Sequence, residues 1–479
     1  MVGITSYGVH IPFYRLSRSV VGTAWAKGGT AGEKAVAGPD EDSITMGVQA
    51  SDQCLKGLAL DRKSIDALFF SSLTPPYAQK QSASIVAAAL DLRMDTTTGD
   101  FGHSLRVATG AVKAALDSVK AGSARTALVV ASDIVLAPPG SAKELENGDS
   151  AVALTIGDKD VAVGVEGFHS ITSEFMDAWR LPQDRFCQEW EDRFIRDEGY
   201  MRLLPELVSG LLKKYGLKPG DFTKAVYNGL DVRTHKAVAK KLGLDYQTQV
   251  QDPLYNRVGN TGASSALLIL AAALEEAKPG DRILFANYGD GGDAYVLRVT
   301  EGIEKLKKAM GLNSQLNSKM PLGSYGKYLR FRELVSQEVD RRPAPRTSLT
   351  HYFRERKQLF ALVGQRCNRC GHEQFPRQRV CMWCQQKLEN ATDYGDIQLR
   401  DQRGKLFTFS MDERAPVADL PNVLCVVDLD GGARFYGLMT DRDPHAIEIA
   451  QDMEFTFRKI NDGQGVHNYF WKMRPVRSG

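Results

Sequence analysis

The sequence predicts a layered α/β fold made of two similar halves, followed by a smaller β-rich region at the carboxyl end. Three observations predict it. Short apolar runs alternate with helical stretches over roughly the first 300 residues, one helix–strand unit occurs twice, and short β-rich pieces follow residue 404. Because a domain holds roughly 150 residues, the 479 residues also exceed what one compact core accommodates.

The composition is that of an ordinary globular protein. Hydrophobic residues make up 43% and charged residues 25%, which excludes a disordered, collagen-like or disulfide-dense chain. The net charge of +3 indicates neither nucleic acid nor an anionic membrane as a partner. No apolar run reaches the ~18 residues of a membrane span, and the amino terminus lacks the pattern of a secretory signal. We therefore expect a cytoplasmic protein in a reducing compartment.

Short apolar runs predict the strands of the α/β region. They lie at Ile65–Phe70, Ala127–Ala131, Ala151–Ile156 and Arg282–Ala286, and each is bounded by polar or glycine residues. Runs that are apolar throughout are typical of strands buried between two layers of helices.

Two helices with small side chains carry the internal repeat. The sequence predicts helices over Val107–Lys120 and Ala263–Ala277, and the second is apolar almost all round, so it should be buried. A similar motif begins at Gly110 and at Gly262, and each leads into an apolar strand. We interpret this as a duplicated α/β unit. Its two helices would begin at a shared pseudo-twofold axis, where a site could lie between the halves.

Four of the seven cysteines fall in one short segment. Cys367 and Cys370 form one C-x2-C knuckle, and Cys381 and Cys384 form a second. Two such knuckles can place four thiolates at the corners of a tetrahedron, the arrangement that Zn²⁺ prefers. Four protein ligands leave no position for water or substrate. The sequence therefore predicts a structural zinc ribbon rather than a disulfide framework.

The other cysteines stand alone. Cys54, on a helical pattern, and Cys425, in an apolar strand, should be core residues, whereas Cys187 could be an exposed free thiol. His372, beside the first knuckle, is interpreted as a surface residue rather than a ligand.

The chain after Thr300 divides into a linker and two small units. Residues 301–360 are rich in Lys, Arg, Gln and Ser, and Pro343 and Pro345 break any helix there. From Gly404 onward, five β-rich pieces separated by turn signals predict a small barrel of the OB type. The predicted units are two α/β halves at 1–160 and 161–312, a helical linker at 313–362, the zinc ribbon at 363–390 and the barrel at 391–479.

Several segments together resemble the hydroxymethylglutaryl-CoA synthases, in particular the archaeal type. The segments that carry the resemblance are Arg257–Ser265, Ala277–Leu284, Tyr288–Asp290, Asp177–Arg180 and Gly148–Val152. It covers roughly residues 1–300. The stretch Gly364–Gly371 and the barrel after it resemble a domain of unknown function that accompanies thiolases and these synthases.

The resemblance implies a thiolase fold, an acyl-CoA as substrate or ligand, and a homo- or hetero-oligomer with a thiolase-like chain. In the proteins that this region resembles, the carboxyl-terminal domain bridges subunits and helps hold coenzyme A. The resemblance therefore implies that basic residues around the ribbon could contact the phosphates of coenzyme A. The alternative is a solvated basic face. The residues assigned to the phosphate contact are Arg366, Arg369, Arg377 and Arg379.

The chemistry of the resembled family is a Claisen condensation. A Cys at the start of a buried helix takes the acyl group, a Glu acts as acid and base, and a His and an Asn hold the thioester oxygen. Compared position by position, Leu105 replaces the Cys, Leu73 the Glu and Asn228 the His, whereas the Asn is kept as Asn260. Because leucine cannot form a thioester, we do not expect ordinary synthase activity.

Five polar residues near these positions are candidates for catalysis or binding. They are His103, Tyr77, Asn228, His235 and Asn260. His235 lies four residues after Asp231, so the two could pair on one helix face. The alternatives are a helix-entry role for His103, a surface pair for His235 and simple packing for Tyr77.

Three functions follow from these residues. The first is a CoA-binding or assembly subunit paired with a thiolase that carries the cysteine. The second is non-covalent aldol or retro-aldol chemistry on a β-hydroxyacyl-CoA, with His103, Tyr77 or His235 carrying the proton. The third is a synthase-like acyltransferase whose nucleophile has moved to Cys187 or Cys54.

Overall fold

The computed structural model describes residues 1–28, 30–307, 311–335 and 346–477. The helix-breaking prolines predicted at Pro343 and Pro345 lie outside these residues.

The first α/β half contains seven strands and five helices. Its strands are β1 (Gly3–His10), β2 (Tyr14–Ser17), β3 (Glu33–Val36), β4 (Ala67–Ser71), β5 (Thr97–Phe101), β6 (Thr126–Ile134) and β7 (Asp149–Gly157). Its helices are α1 (Arg18–Ala24), α2 (Ser43–Gly57), α3 (Ser82–Ala89), α4 (Val107–Lys120) and α5 (Ala142–Glu146). Helix α2 begins at a capping box, in which the Asp42 carboxylate accepts from the Thr45 N–H and the Thr45 hydroxyl accepts from the Asp42 N–H.

The second half has the same kinds of element. Its strands are β8 (Val163–Thr172), β9 (Ala178–Trp179), β10 (Gln188–Glu189), β11 (Lys224–Tyr227), β12 (Arg282–Tyr288) and β13 (Gly291–Val299). Its helices are α6 (Asp192–Phe194), which continues as a π-helical turn over Ile195–Tyr200, α7 (Met201–Tyr215), α8 (Val232–Leu242) and α9 (Ser265–Glu276). Helices α7 and α8 end at Gly216 and Gly243, both in the left-handed conformation that glycine adopts most easily.

Nine strands of the two halves form one sheet in the order β11-β12-β13-β8-β1-β7-β6-β4-β5. Strand β4 runs parallel to β5 and β6, and β11 runs parallel to β12, whereas the other neighbours are antiparallel. Helices α4 and α9 share a buried core with the inner faces of both halves. Helices α2 and α3 cover the outer face of the first half, and α7 and α8 that of the second. The result is five alternating layers with α4 and α9 at the centre.

These elements bear out the main sequence expectations. Helix α4 spans the predicted Val107–Lys120, and all four predicted strands are present with ends shifted by a few residues. The second central helix differs slightly, because Gly262–Ser264 form a 3-10 turn before α9. That helix is buried almost all round, as its composition predicts.

The segment after β13, which includes the predicted linker, packs against both halves. Its elements are α10 (Ile303–Lys307), α11 (Leu312–Asn317), β14 (Met320–Pro321), α12 (Tyr325–Phe331), α13 (Leu349–Arg354) and α14 (Arg356–Ala361). Strand β14 pairs with β2, and the buried guanidinium of Arg332, just after α12, binds the buried carboxylate of Asp149 at the start of β7. The linker thus packs directly against the segment that leads into the central sheet.

The ribbon and the barrel complete the chain. The ribbon strands are β15 (Val363–Cys367), β16 (Glu373–Gln374) and β17 (Tyr394–Gln398), and the barrel strands are β18 (Arg403–Asp412), β19 (Asn422–Leu429), β20 (Arg434–Met439), β21 (Asp452–Gly463) and β22 (Val466–Pro475). The barrel is closed in the order β18-β19-β20-β22-β21. Five strands in a closed barrel agree with the predicted OB-type unit. The domain boundaries drawn from the sequence stay predictions.

The barrel shares a hydrophobic core with the first half. Phe457 and Trp471 of the barrel belong to the same buried cluster as Ile44 of α2 and Val86 of α3. The indole N–H of Trp471 donates to the carbonyl of Phe360 in α14. The barrel therefore packs on the outer helical layer of the first half and is not tethered as a separate body.

Candidate active site between the two halves

Leu105 lies in the turn that leads into α4 and is half-buried. Its carbonyl accepts a hydrogen bond from the amide of Asn287 at 3.3 Å. A Cβ atom on Gly289 would lie 3.0 Å from the Leu105 Cβ and 2.7 Å from the Arg106 nitrogen. Only glycine allows the end of β12 to approach the start of α4 this closely. The position predicted for the family's Cys therefore lies where the two halves meet.

Asn228 fixes the segment beside Leu105. It follows β11, and its Oδ1 accepts from the Tyr288 N–H at 2.9 Å while its Nδ2 donates to the Tyr288 carbonyl at 3.3 Å. The oxygen and the nitrogen of the Asn228 amide thus both form hydrogen bonds with the backbone of Tyr288, the residue before Gly289. Asn228 therefore fixes the backbone of Tyr288, next to the residue that approaches Leu105.

Leu73 and the turn that contains Asn260 are joined through Asp133. The Asp133 Oδ1 accepts from the Leu73 N–H at 2.7 Å, and its Oδ2 accepts from the Ala263 N–H at 2.7 Å. Asp133 is fully buried, and burial raises the pKa of its carboxyl despite these donors. The Ser71 hydroxyl at the end of β4 lies 3.5 Å from the carbonyl of Val107 in α4. These contacts bring the predicted Glu position to the same cleft as Leu105.

Asn260 keeps one free donor. Its backbone N–H donates to the Glu146 carbonyl and its own carbonyl accepts from the Gly148 N–H, both at 2.8 Å. Its Oδ1 accepts from the Gly262 N–H at 3.2 Å. Within the residues that the structure describes, its half-buried Nδ2 has no hydrogen-bond partner. A fixed N–H donor of this kind can hold the oxygen of a thioester.

A strap of residues 173–191 crosses the cleft from the second half to the first. The Tyr288 hydroxyl donates to the Asp177 Oδ2 at 2.7 Å, and burial raises the pKa of both groups. The Arg180 guanidinium donates to the Leu73 carbonyl at 2.7 Å. In the sequence, Asp177 and Arg180 stand out only as part of a segment that resembles the family. Their contacts with Tyr288 and Leu73 could not be predicted, because these residues are distant along the chain. Their contacts with the two walls depend on the tertiary structure.

The other predicted polar residues do not converge on this cleft. His103 is exposed, with a left-handed φ of +73°, and has no hydrogen-bond partner in the described part of the chain. The Tyr77 hydroxyl accepts from the His467 N–H at 2.8 Å, and the two rings lie 4.6 Å apart, so Tyr77 contacts the barrel.

His235 is a buried core residue on α8. Its ring lies 4.3 Å from that of Tyr227, and burial lowers the pKa of the imidazole to about 4. The predicted pair with Asp231 is not formed, because the Asp231 carboxylate caps α8 by accepting from the Thr234 N–H and hydroxyl. The imidazole Nε2 lies 3.3 Å from the Tyr227 carbonyl instead.

The lone cysteines lie where the sequence indicated. Cys54 and Cys425 are buried, and burial raises the pKa of each thiol to about 12. Cys187 is exposed on the strap, with its Sγ 3.5 Å from the Trp179 carbonyl. A thiol held protonated at neutral pH is a poor nucleophile, so Cys54 does not fit the role of a displaced catalytic residue.

The four ribbon cysteines form a compact cluster. Their sulfur atoms all lie within 4.8 Å of one another, with 3.7 Å between Cys367 and Cys384 and 3.6 Å between Cys370 and Cys381. Four thiolates at ~2.3 Å from a central Zn²⁺ would be separated by ~3.8 Å, so the geometry fits the ion. The ring of His372 stacks on Trp383 outside the cluster.

The basic residues around the ribbon are only partly free. Arg366 forms an ion pair with Glu373, and Arg377 lies 2.5 Å from Asp396. Arg369 donates to the Gln386 side chain at 3.3 Å. Arg369 and Arg379 are exposed and form no ion pair with any described residue. Two of the four predicted phosphate contacts are therefore already neutralised within the ribbon.

No helix in the described ranges is both long enough and apolar enough to span a membrane.

Comparisons with known proteins agree with this architecture. Residues 212–298 match the carboxyl-terminal domain of 3-oxoacyl-[acyl-carrier-protein] synthase III, and residues 354–388 match the ChsH2 rubredoxin-like zinc ribbon. A solved structure of MvaS in complex with 3-hydroxy-3-methylglutaryl coenzyme A superposes with a TM-score of 0.61 at 22% identity, over 72% of this chain and 94% of that one. The synthase III of Aquifex aeolicus superposes with a TM-score of 0.56 at 21% identity, over 62% of this chain and 100% of that one.

These likenesses define the class: a thiolase-like α/β protein with an appended zinc ribbon and barrel. The chain is 36% identical over 341 residues to the hydroxymethylglutaryl-CoA synthase of Aeropyrum pernix, covering 69% of this chain and 94% of the relative. It is 33% identical to that of Pyrococcus furiosus, covering 64% and 88%. The chain belongs to the hydroxymethylglutaryl-CoA synthase family.

Proposed function

We propose that this chain binds an acyl-CoA without forming an acyl-enzyme, and serves as the CoA-binding and assembly subunit of a thiolase-like partner that carries the reactive cysteine. The observation that carries the proposal is the free Nδ2 donor of Asn260, which is kept while leucines stand at the predicted Cys and Glu positions, Leu105 and Leu73. A thioester oxygen can be held by such a donor, whereas no thiol stands at the helix start to attack it. A solved relative is a hydroxymethylglutaryl-CoA synthase complexed with CoA, which supports CoA as the ligand.

The ribbon cluster would hold a structural Zn²⁺ through Cys367, Cys370, Cys381 and Cys384. The ion would link the two knuckles and stabilise a unit too small for a core of its own. Of the four predicted phosphate contacts, Arg369 and Arg379 are the two left for an anionic ligand such as the CoA phosphates.

The edge strand β5 offers a surface for the partner. It is the last strand of the nine-stranded sheet. The backbone N–H and carbonyl groups of its odd-numbered residues point toward β4, as the bond donated by the Thr97 N–H and the bond accepted by the Phe101 carbonyl indicate. The N–H of Thr98 therefore faces away from β4. The Thr98 carbonyl accepts from the Gln81 Nε2 at 3.1 Å, so the N–H is the backbone group of Thr98 left for a second chain. An edge strand can pair with a strand of a second chain through such a group, and pairing of two like surfaces is the usual way to form a dimer.

Non-covalent aldol chemistry has less support. It needs a base beside the thioester carbonyl, but the Tyr77 hydroxyl contacts the barrel and His235 is buried against Tyr227. His103 is exposed at the entrance to α4, and among the three it is the remaining candidate for such a base.

The test is affinity purification of the full chain from its native host, followed by native mass spectrometry of the complex. We expect a second thiolase-like chain with a Cys at the corresponding helix start, in fixed ratio. Thr98→Pro, which removes the outward N–H, should abolish that complex, whereas Thr98→Val should keep it. A homo-oligomer that alone turns over acyl-CoA at rates typical of enzymes would contradict the proposal.

A further inference from the structure

A cavity of about 460 Å³ lies between the barrel and the linker helices α13 and α14. Its walls are mainly apolar and come from both units. The aliphatic and aromatic side chains that line it are Tyr352, Leu359, Leu438, Ile460, Tyr469, Phe470 and Trp471. A mainly apolar cavity of roughly 300–1,000 Å³ with a few polar groups is the usual form of a small-molecule site.

One end of the cavity carries a fixed polar group. The Asn468 amide donates to the Thr347 hydroxyl and to the Asn461 Oδ1, both at 2.8 Å. The Thr347 hydroxyl lies 3.2 Å from the carbonyl of Gly463 in the hairpin turn. This network joins the segment before α13 to the β21–β22 hairpin, so the polar end has a defined geometry.

Two basic side chains stand at the same end. Arg346 and His351 are exposed and line the cavity, and Arg346 forms no ion pair within the described ranges. Lys472 also lines it, but its ammonium already binds Asp40 at 2.8 Å. The end therefore has one uncompensated guanidinium, which favours an anionic group on a ligand.

The cavity is separate from the cleft at Leu105. Asn461 and Asn468 form one cross-strand pair of the hairpin, and Asp462 and His467 form the next. Successive pairs of a strand point to opposite faces. The asparagine pair faces the cavity, and the His467 ring faces Tyr77 on the other side. The hairpin thus separates the cavity from Tyr77, and none of the residues that line the cavity belongs to the site at Leu105.

We propose that this cavity binds an amphipathic monoanion, an unbranched acyl chain that ends in a carboxylate. The chain would lie against the apolar wall of Leu359, Leu438 and Trp471, and the carboxylate would meet Arg346. The proposal does not rest on the function proposed for the cleft, since it uses none of the same residues.

The experiment is isothermal titration of the purified full chain with dodecanoate, with dodecanol as the uncharged analogue. We expect saturable binding of dodecanoate that tightens about tenfold for each two methylenes added between octanoate and dodecanoate. Dodecanol should bind about fivefold more weakly, and Arg346→Gln should remove that difference. Dodecanoyl-CoA is titrated in parallel, because the same chain could arrive as a thioester.

The variant that fills the cavity has a matched control. Leu438 lines it, and Leu424 lies directly opposite on β19 without lining it. Leu438→Trp should weaken binding at least about tenfold, whereas Leu424→Trp should leave it unchanged. Binding of dodecanoyl-CoA without binding of dodecanoate would overturn the assignment of a free carboxylate to Arg346. No saturable binding of either ligand, or equal loss in both variants, would overturn the proposal.

Discussion

The guanidinium of Arg458 in barrel strand β21 lies 3.2 Å from the carboxylate of Glu41 in the first α/β half, and neither side chain has exposed area. The same guanidinium binds Asp441 of the barrel at 2.7 Å, and Glu41 binds the ring of His10 at 2.7 Å. A buried ionic chain thus crosses the interface. Removing Arg458 would leave the buried Glu41 with His10 alone and the buried Asp441 with Arg474 alone, so the chain of ion pairs would no longer cross the interface.

Arg458→Met tests the interface. The variant should lower the free energy of unfolding by about 3–5 kcal/mol, because Glu41 and Asp441 both lose the buried guanidinium that they share. Chemical denaturation measures the change. Arg434→Met is the control, since Arg434 and Asp428 form an exposed pair that should contribute less than about 1 kcal/mol. Similar losses in the two variants would mean that the buried chain does not fix the barrel.

His235→Phe tests the buried histidine through pH. Burial lowers the pKa of His235 from 6.5 to about 4. Between these values the unfolded chain binds a proton that the folded chain does not, so stability falls as the pH drops from 6.5 toward 4, by about 3 kcal/mol. His235→Phe should remove this loss while keeping the packing on Tyr227. His445→Phe, at an exposed position, should leave the pH dependence of denaturant unfolding as it is. An unchanged slope in His235→Phe would refute the assignment.

Cys381→Ser tests the metal site. Removing one of four ligands should reduce bound zinc from about one ion per chain to a small fraction, as measured by elemental analysis. Limited proteolysis should then cut the ribbon first, because metal binding and folding are coupled in such units. Cys187→Ser, outside the cluster, should keep the zinc. Full zinc content in Cys381→Ser would argue against a four-thiolate site.

Asn260→Asp tests the proposed thioester contact. The carboxylate can still accept from the Gly262 N–H, so the turn is preserved, but the free donor is lost. Acetyl-CoA should bind about tenfold more weakly in calorimetry, which is ~1.4 kcal/mol. Asn390→Asp adds the same charge at an exposed position on the ribbon and should bind as the parent does. Equal affinity in Asn260→Asp would place the thioester oxygen elsewhere.

Local patterns made much of the fold predictable. The central helix over Val107–Lys120 and the five barrel strands follow from apolar periodicity, and the cysteine cluster follows from knuckle spacing. The predicted Asp231–His235 pair was wrong, because capping of α8 by Asp231 competes with pairing along the helix. Spacing on a helix indicates which residues can meet, but not which partner the side chain selects.

For the candidate site, the sequence predicted individual residues but not the contacts between them. The resemblance located Leu73, Leu105, Asn228 and Asn260, but their environment depends on distant residues. Asp133 links Leu73 to the turn before α9, and Arg180 of the strap reaches the Leu73 carbonyl. These partners are separated along the chain by between about 60 and 130 residues, a range over which sequence patterns carry no contact information.

The sequence by itself determined the layered α/β fold and the four-cysteine ribbon, and it predicts that Leu105 stands where the family has its reactive cysteine. Each of these depends on residue types and on spacings of a few residues, which can be recognised in the sequence without knowledge of distant contacts. Only the tertiary structure decided that Tyr77 contacts the barrel, that His235 is buried away from the cleft, and that Arg458 joins Glu41. Burial and long-range contacts decide these outcomes, because a polar side chain removed from water must find its partner wherever the packed chain provides one.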